Sequence, residues 1–249
     1  MMTKFINTSH GSTIAYNKIK GKKAGIVFLS GFKSDMQGKK AIYIENWAKE
    51  NNHSFLRFDY SGHGKSSGDF QKTHFSDWYN DAQFLIEHLT EGKQILIGSS
   101  MGGWIMLMLA RRIPEKISSM IGLAPAPDFP KILIWDKLSF SQKRKFIKNR
   151  GLSVKNDDGT ENFFSYNFIK DSLNNLTLTN KISFKGPVFL YHGMQDTDVP
   201  YQLSAEISKK IIGTNNIKIL LEKNGGHRLS ENNQLNTIVN LIKETNNSL

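Results

Sequence analysis

The eleven residues Gln94-Ile95-Leu96-Ile97-Gly98-Ser99-Ser100-Met101-Gly102-Gly103-Trp104 restrict the fold of this chain more than any other stretch. They begin as a short apolar run of strand type, and residues 101–112 are mostly good helix formers, so the small polar segment between must be a tight strand-to-helix turn. Gly98-Ser99-Ser100-Met101-Gly102 fits the G-x-S-x-G nucleophile elbow, in which glycines two positions either side of a serine let the backbone fold sharply beneath it. Ser100 is therefore the candidate nucleophile. The pentapeptide alone also describes a plain glycine-rich loop; the strand before it and the helix after it favour the elbow. The helix N-terminus brings backbone N–H groups and a positive dipole to the place where an oxyanion would form.

The rest of the chain supplies a sheet for that elbow. Residues 3–7 and 13–19 read as an antiparallel edge pair around His10-Gly11-Ser12. Residues 25–29 form a continuous apolar run of the central-strand type, followed by the polar loop 30–35 and a helix over 39–50. A strand at 54–59, a helix at 75–90 and a strand at 117–124 continue the alternation, which resumes with strands at 187–191 and 217–222 and helices at 201–212 and 231–245. Alternation of this kind predicts a mainly parallel sheet with helices on both faces. Residues 126–185 interrupt it. They show no clear strand, only amphipathic pieces at 139–149 and 163–173 and a turn at Asn156-Asp157-Asp158-Gly159, and predict a helical insertion. The whole of 1–249 reads as one α/β domain carrying that insertion.

Several function classes drop out. The chain has no cysteine, which excludes a thiol nucleophile, thiolate metal sites and disulfides. Gly64-Lys65-Ser66 resembles the end of a P-loop, but Asp59 occupies the position of that motif's first glycine; a dinucleotide fingerprint from Gly62 fails because Ser67 stands at its third glycine. The net charge of +11 comes from lysines spread along the sequence, with no aromatic-basic recognition motif, so no nucleic-acid partner is expected. No apolar run approaches membrane-spanning length and the first residues lack an apolar leader core, which predicts a cytoplasmic protein without a membrane span.

An activated serine needs a base and a group that orients the base. Of the seven histidines, His10, His53, His74 and His88 fall at turns, strand starts or helices and read as surface or packing residues. His63 follows a strand and stays a minor candidate, and His192 reads as local packing. His227 follows Asn224-Gly225-Gly226 after the last strand, at the same carboxyl edge of a parallel sheet as the elbow. The acid should come from a loop at that edge, where Asp196 and Asp198 follow the strand ending near Tyr191. Either gives the chain order Ser, Asp, His, which differs from the chymotrypsin and subtilisin orders.

With these residues in view, the chain resembles the α/β-hydrolase superfamily, and within it the mitochondrial acyl-glucuronide esterase and palmitoyl-protein thioesterase group of animals and its bacterial relatives. The likeness is carried by residues 28–36, by Arg57-Phe58-Asp59-Tyr60-Ser61-Gly62, by residues 97–104, and by His192-Gly193-Met194 with Asp196 and Val199-Pro200. It implies the α/β-hydrolase fold with a small helical cap at 126–185, Ser100 as nucleophile, Asp196 as triad acid and His227 as base. It also implies an oxyanion hole from the amides of Phe32 and Met101, hydrolysis of a small-molecule or acylated-protein ester or thioester, and no metal or organic cofactor. Ser30 departs from the wider superfamily, which often has histidine before the oxyanion glycine. A serine peptidase or amidase on the same scaffold, and a non-catalytic hydrolase-like binding protein, are the alternative classes. No oligomeric state is implied.

Overall fold

Strands covered on both faces read as near-continuous apolar runs, and four segments of this chain come close to that, broken only by residues such as Lys23, Gln94, Ser118, Ser119 and His192. In the computed structural model, which describes residues 2–155 and 161–247, these four form the middle of an eight-stranded sheet. They are β3 (Lys23–Leu29), β5 (Gln94–Ser99), β6 (Ile117–Leu123) and β10 (Val188–Gly193), the last three buried along their whole length. The other strands of the sheet are β1 (Lys4–Asn7), β2 (Thr13–Ile19), β4 (His53–Phe58) and β12 (Ile217–Glu222). The order is β1-β2-β4-β3-β5-β6-β10-β12, antiparallel only in the pairs β1–β2 and β2–β4. The expected mainly parallel sheet is therefore observed, with the antiparallel pair at one edge.

Successive side chains of a strand point to opposite faces, and two cores follow from that period. Val27, Leu29 and Leu96 pack with Trp78 of α2 (Phe75–Leu89), Trp104 of α3 (Met101–Arg112) and Ile207 of α6 (Gln202–Lys210). Ile26, Phe28, Ile95 and Ile97 pack with Ile44 of α1 (Lys39–Glu50) and Ile238 of α7 (Asn232–Asn247) on the other side. Among the described residues no helix is long and apolar enough to cross a membrane.

The insertion corrects one expectation. It holds a π-helical turn at Pro130–Ile134, a short helical turn at Trp135–Lys137, α4 (Phe140–Lys148) and α5 (Tyr166–Asn174), but also an antiparallel hairpin of β7 (Gly151–Lys155) and β8 (Glu161–Ser165). Leu152 lies opposite Phe164 and Val154 opposite Asn162. Leu152 and Val154 alternate with Ser153 and Lys155, a period-two signal only four residues long. The adjacent Phe163 and Phe164 break that alternation and mimic a helix start, yet they diverge, Phe163 exposed and Phe164 buried. The helix begins only at Tyr166, where Ser165 caps it by accepting the Phe168 amide at 3.1 Å. The turn expected at Asn156-Asp157-Asp158-Gly159 lies outside the described residues. Two short strands, β9 (Ile182–Ser183) and β11 (Ile211–Ile212), then pair beside α6. The two stalks of the insertion are tied by Asp128, whose carboxylate accepts the Thr177 amide and hydroxyl and the Leu178 amide at 2.8–3.0 Å.

Candidate active site

The elbow is built by steric necessity. Ser100 sits between β5 and α3 at φ 54° and ψ −119°, a conformation that costs a residue with a side chain about 1–3 kcal/mol. It is held there by hydrogen bonds of its own peptide groups: its N–H donates to the Leu123 carbonyl at 2.9 Å, and its carbonyl accepts the Gly103 and Ala126 amides at 2.8 and 3.0 Å. The flanking glycines are required by close approach. A Cβ on Gly98 would stand 2.5 Å from the Gly102 carbonyl oxygen, and one on Gly102 would stand 2.0 Å from that of Leu29.

The loops after β10 and β12 bring the other two expected side chains to the same edge. His227 Nε2 lies 3.0 Å from Ser100 Oγ, and His227 Nδ1 lies 2.7 Å from Asp196 Oδ2. With a carboxylate at Nδ1, the ring carries its proton there and presents a bare Nε2 to the serine hydroxyl, which donates to it. The Asp196 side chain is fully buried, and four donors converge on it. Oδ1 accepts the Asp198 and Val199 amides at 2.9 and 2.8 Å; Oδ2 accepts His227 and also His192 Nε2 at 3.1 Å. Burial alone would raise this carboxyl, but the hydrogen bonds from His192 and His227, the charge of His227 and the Val199 amide outweigh it and hold the group well below the usual carboxylate range. Asp198 faces solvent and contributes its backbone amide to Asp196. Ligand atoms of Asp196, Asp198 and His227 lie within 4.8 Å of one another, the one set of metal-capable groups among the described residues, but two of its members are already bonded to each other.

The loop after β3 places Phe32 beside the serine; a Cβ on Gly31 would sit 3.4 Å from Ser100 Cβ. Among the described residues neither the Phe32 nor the Met101 amide has an intramolecular acceptor. The Phe32 ring is fixed among Phe70, Trp78, Phe129, Phe164 and Phe168, with centroids 5.1–5.9 Å away. From below, Asp59 accepts the Met36 amide and the Lys65 amide at 2.6 and 2.8 Å, while Arg57 donates to the Met36 carbonyl at 2.6 Å and pairs with Glu45 at 2.9 Å. A cleft of about 630 Å³ opens above, lined by Ser100 and His227, by Phe32 and Val199, and by Phe129, Leu133, Ile134, Val154 and Phe164 of the insertion.

That arrangement can be compared with known proteins. A family model described as serine aminopeptidase, S33, matches residues 20–167. The palmitoyl-protein thioesterase ABHD10, mitochondrial, of Rattus norvegicus is 33% identical over 242 residues, 96% of this chain and 81% of that protein. The Homo sapiens counterpart is 34% identical over 244 residues, 96% and 78% of the two chains. The solved structure of mouse alpha/beta hydrolase domain-containing protein 10 superposes with a TM-score of 0.93 at 33% identity, covering 98% of both chains. The chain is an α/β hydrolase of the ABHD10 family. A structure from Agrobacterium vitis S4 is similar at 30% identity and a TM-score of 0.91, again over 98% of both chains. Family membership makes the protein a hydrolase of the ester and thioester class. It also overturns the expected cytoplasmic location: the ABHD10 relatives are named mitochondrial, so the lack of an apolar leader core was no guide to compartment.

Within this ABHD10-type site, three features escaped the sequence reading. His192, expected to be packing, is a second donor to Asp196; its Nε2 faces the Asp196 carboxylate and the Val199 carbonyl, both at 3.1 Å and both acceptors, so the proton sits there and Nδ1 takes the Ser204 hydroxyl at 2.9 Å. The i, i+4 spacing of His192 and Asp196 across a strand end was the available signal. The Arg57-Phe58-Asp59 segment, noticed only as family likeness, holds Met36 in the loop after β3 that carries Phe32. Of the basic residues near the insertion, Lys137 lines the cleft, whereas Lys143, Arg144, Lys145, Lys148 and Arg150 do not. His63, the minor candidate for the base, is 4% exposed and packs edge-on against Tyr60, Phe70 and Trp78. Burial lowers its pKa to about 4 against a weaker upward pull from the Ser61 carbonyl, so it stays neutral.

Proposed function

We propose that this ABHD10-family protein is a serine hydrolase that cleaves carboxylic esters or thioesters through Ser100, His227 and Asp196 and a covalent acyl-enzyme. The reading rests on one observation, the Ser100 Oγ to His227 Nε2 to Asp196 Oδ2 relay at 3.0 and 2.7 Å beneath a cleft with an apolar wall from the insertion. Ser100 attacks the acyl carbonyl as His227 takes its proton; Asp196 holds the tautomer and stabilises the imidazolium. The oxyanion is received by the Phe32 and Met101 amides, groups already free and fixed in place. Its collapse expels the alcohol or thiol, protonated by His227, and water repeats the sequence on the acyl-enzyme to release the acid. In this reading the chain is one catalytic domain, with 126–185 as its cap.

The cap supplies the acyl slot. Phe129, Leu133, Ile134, Val154 and Phe164 offer the acyl chain apolar walls, and each methylene buried there adds about 0.8 kcal/mol until the slot is full. kcat/KM should therefore rise from acetyl into the medium-chain range. Lys137 at the rim gives an anionic leaving group an advantage that fades with salt. The test is fluorophosphonate labelling, with the modified residue located by mass spectrometry, followed by turnover of matched ester, thioester and peptide-amide substrates across acyl lengths. Labelling at Ser100 with ester or thioester turnover favoured is the expected result. A preference for the amide would move the protein to the peptidase class, and no labelling at Ser100 would remove the serine mechanism.

A further inference from the structure

β12 is the last strand of the sheet, and among the described residues no strand pairs with its outer edge. Its register against β10 is unbroken from Ile217 to Glu222. The Val188 amide donates to the Asn216 carbonyl at 2.9 Å and the Met194 amide to the Glu222 carbonyl at 2.8 Å, so the even-numbered residues of β12 turn their peptide groups toward β10. Ile217, Ile219 and Leu221 therefore point N–H and C=O outward, a template for one more strand.

The side chains do little to guard that edge. β12 has no proline and no bulge, and Ile219, Leu220 and Leu221 in its middle are 39%, 41% and 41% exposed. Leu220 stands opposite Tyr191 on the α7 face, whereas Ile219 stands opposite Leu190 and shares the α6 face with Leu221, so the edge is apolar on both sides. The charges on the strand are Lys218 and Glu222, which flank Leu220 on the α7 face. Lys218 pairs with Glu244 of α7, yet its side chain stays 60% exposed. Glu222 accepts the Tyr191 hydroxyl and the Gln234 amide, which leaves its carboxylate room for a further donor.

We infer that β12 pairs antiparallel with β12 of a second copy of this chain, about a two-fold axis at Leu220. In that register Ile219 faces Leu221 of the second copy, and these two outward residues exchange both of their N–H···O bonds. Leu220 meets Leu220 of the second copy and Lys218 meets Glu222 of the second copy, as non-hydrogen-bonded pairs with Cα atoms about 4.5 Å apart and side chains in contact. The two-fold repeats the Lys–Glu pair on the other side of the axis. Moving the axis to Ile219 would set Lys218 against Leu220 instead, so charge selects the first register. Lysine, apolar run and glutamate thus make the strand its own complement. The sheet runs unbroken through both copies, and the strand from which the His227 loop leaves lies at its centre. The inference does not depend on which residue is the nucleophile.

Because the chain has no cysteine, one introduced thiol reports the register. Under mild oxidation with diamide, Leu220→Cys should give a disulfide-linked dimer, since Cα atoms about 4.5 Å apart lie in bonding range. Ser141→Cys, exposed on the insertion, should not cross-link. Sedimentation equilibrium of the intact protein should show a reversible dimer whose Kd rises about tenfold or more in Lys218→Glu and in Glu222→Lys, each of which brings like charges together. Mixed in equal amounts, those two variants have complementary edges and should associate again, a recovery that a folding defect in either could not give. A protein that is monomeric at every concentration and leaves Leu220→Cys uncrosslinked would overturn the inference. So would a dimer indifferent to both charge reversals, or cross-linking as efficient at Ser141→Cys as at Leu220→Cys.

Discussion

Replacing Asp196 by asparagine isolates the part of the site most tightly specified by its surroundings. Oδ1 is pinned by two main-chain amides, those of Asp198 and Val199, so the asparagine oxygen must take that place and its NH₂ must take the place of Oδ2. There it meets two ring nitrogens that both donate in the native site, His192 Nε2 and His227 Nδ1. His192 cannot give up its Nε2 proton without turning a bare nitrogen on the Val199 carbonyl at 3.1 Å, whereas His227 can move its proton to Nε2. That tautomer satisfies the new amide and points an N–H at Ser100 Oγ, where a base is required. Turnover should fall by about 10⁴, or roughly 5.5 kcal/mol of transition-state stabilisation, with little change in KM. Asp198→Asn is the control: it keeps the backbone amide that bonds Asp196 and should stay within about threefold of the parent. Steady-state hydrolysis of a p-nitrophenyl ester, with active sites counted by fluorophosphonate titration, measures both. Asp196→Asn retaining a tenth of native turnover, or Asp198→Asn being the more damaging, would refute the tautomer argument.

Ser100→Ala should fold normally and lose about 10⁶ in turnover, whereas Ser100→Gly, which relieves the positive φ, should also be more stable than the parent by about 1 kcal/mol in urea melts. His192→Phe removes one donor from the Asp196 carboxylate and should lower kcat on the order of tenfold while leaving KM unchanged; an unchanged kcat would reduce His192 to packing. The neutral, buried His63 makes the fold sensitive to acid. The unfolded chain takes up a proton near pH 6.5 and the native ring only near 4, so stability is lost as pH falls through that window, by about 3 kcal/mol. His63→Phe should flatten the urea midpoint between pH 6.5 and 4, and a slope as steep as the parent's would remove His63 as the cause.

What could be read from the sequence was whatever the local chain imposes. The elbow was legible because a sharp turn under a serine needs glycine at Gly98 and Gly102, where carbonyl oxygens leave no room for a Cβ. His227 was legible because strand order fixes which loops share an edge. The hairpin was not, because its one clear alternation, Leu152 and Val154, is short and its partner strand carries two adjacent phenylalanines. The contact of His192 with Asp196 was hidden because the turn between them sets whether the imidazole meets the carboxylate. The role of the Arg57 and Asp59 pair is likewise a matter of space, since its target, Met36, belongs to another strand's loop.

The edge strand β12 has a consequence for the newborn chain. His227 hangs from the loop after β12, and β12 touches the sheet only along β10. Ser100 and Asp196 leave the ribosome before it, on strands that pair without it. On the proposed mechanism, a chain folded only through β10 would hold Ser100 and Asp196 without His227, and turnover would report the docking of β12.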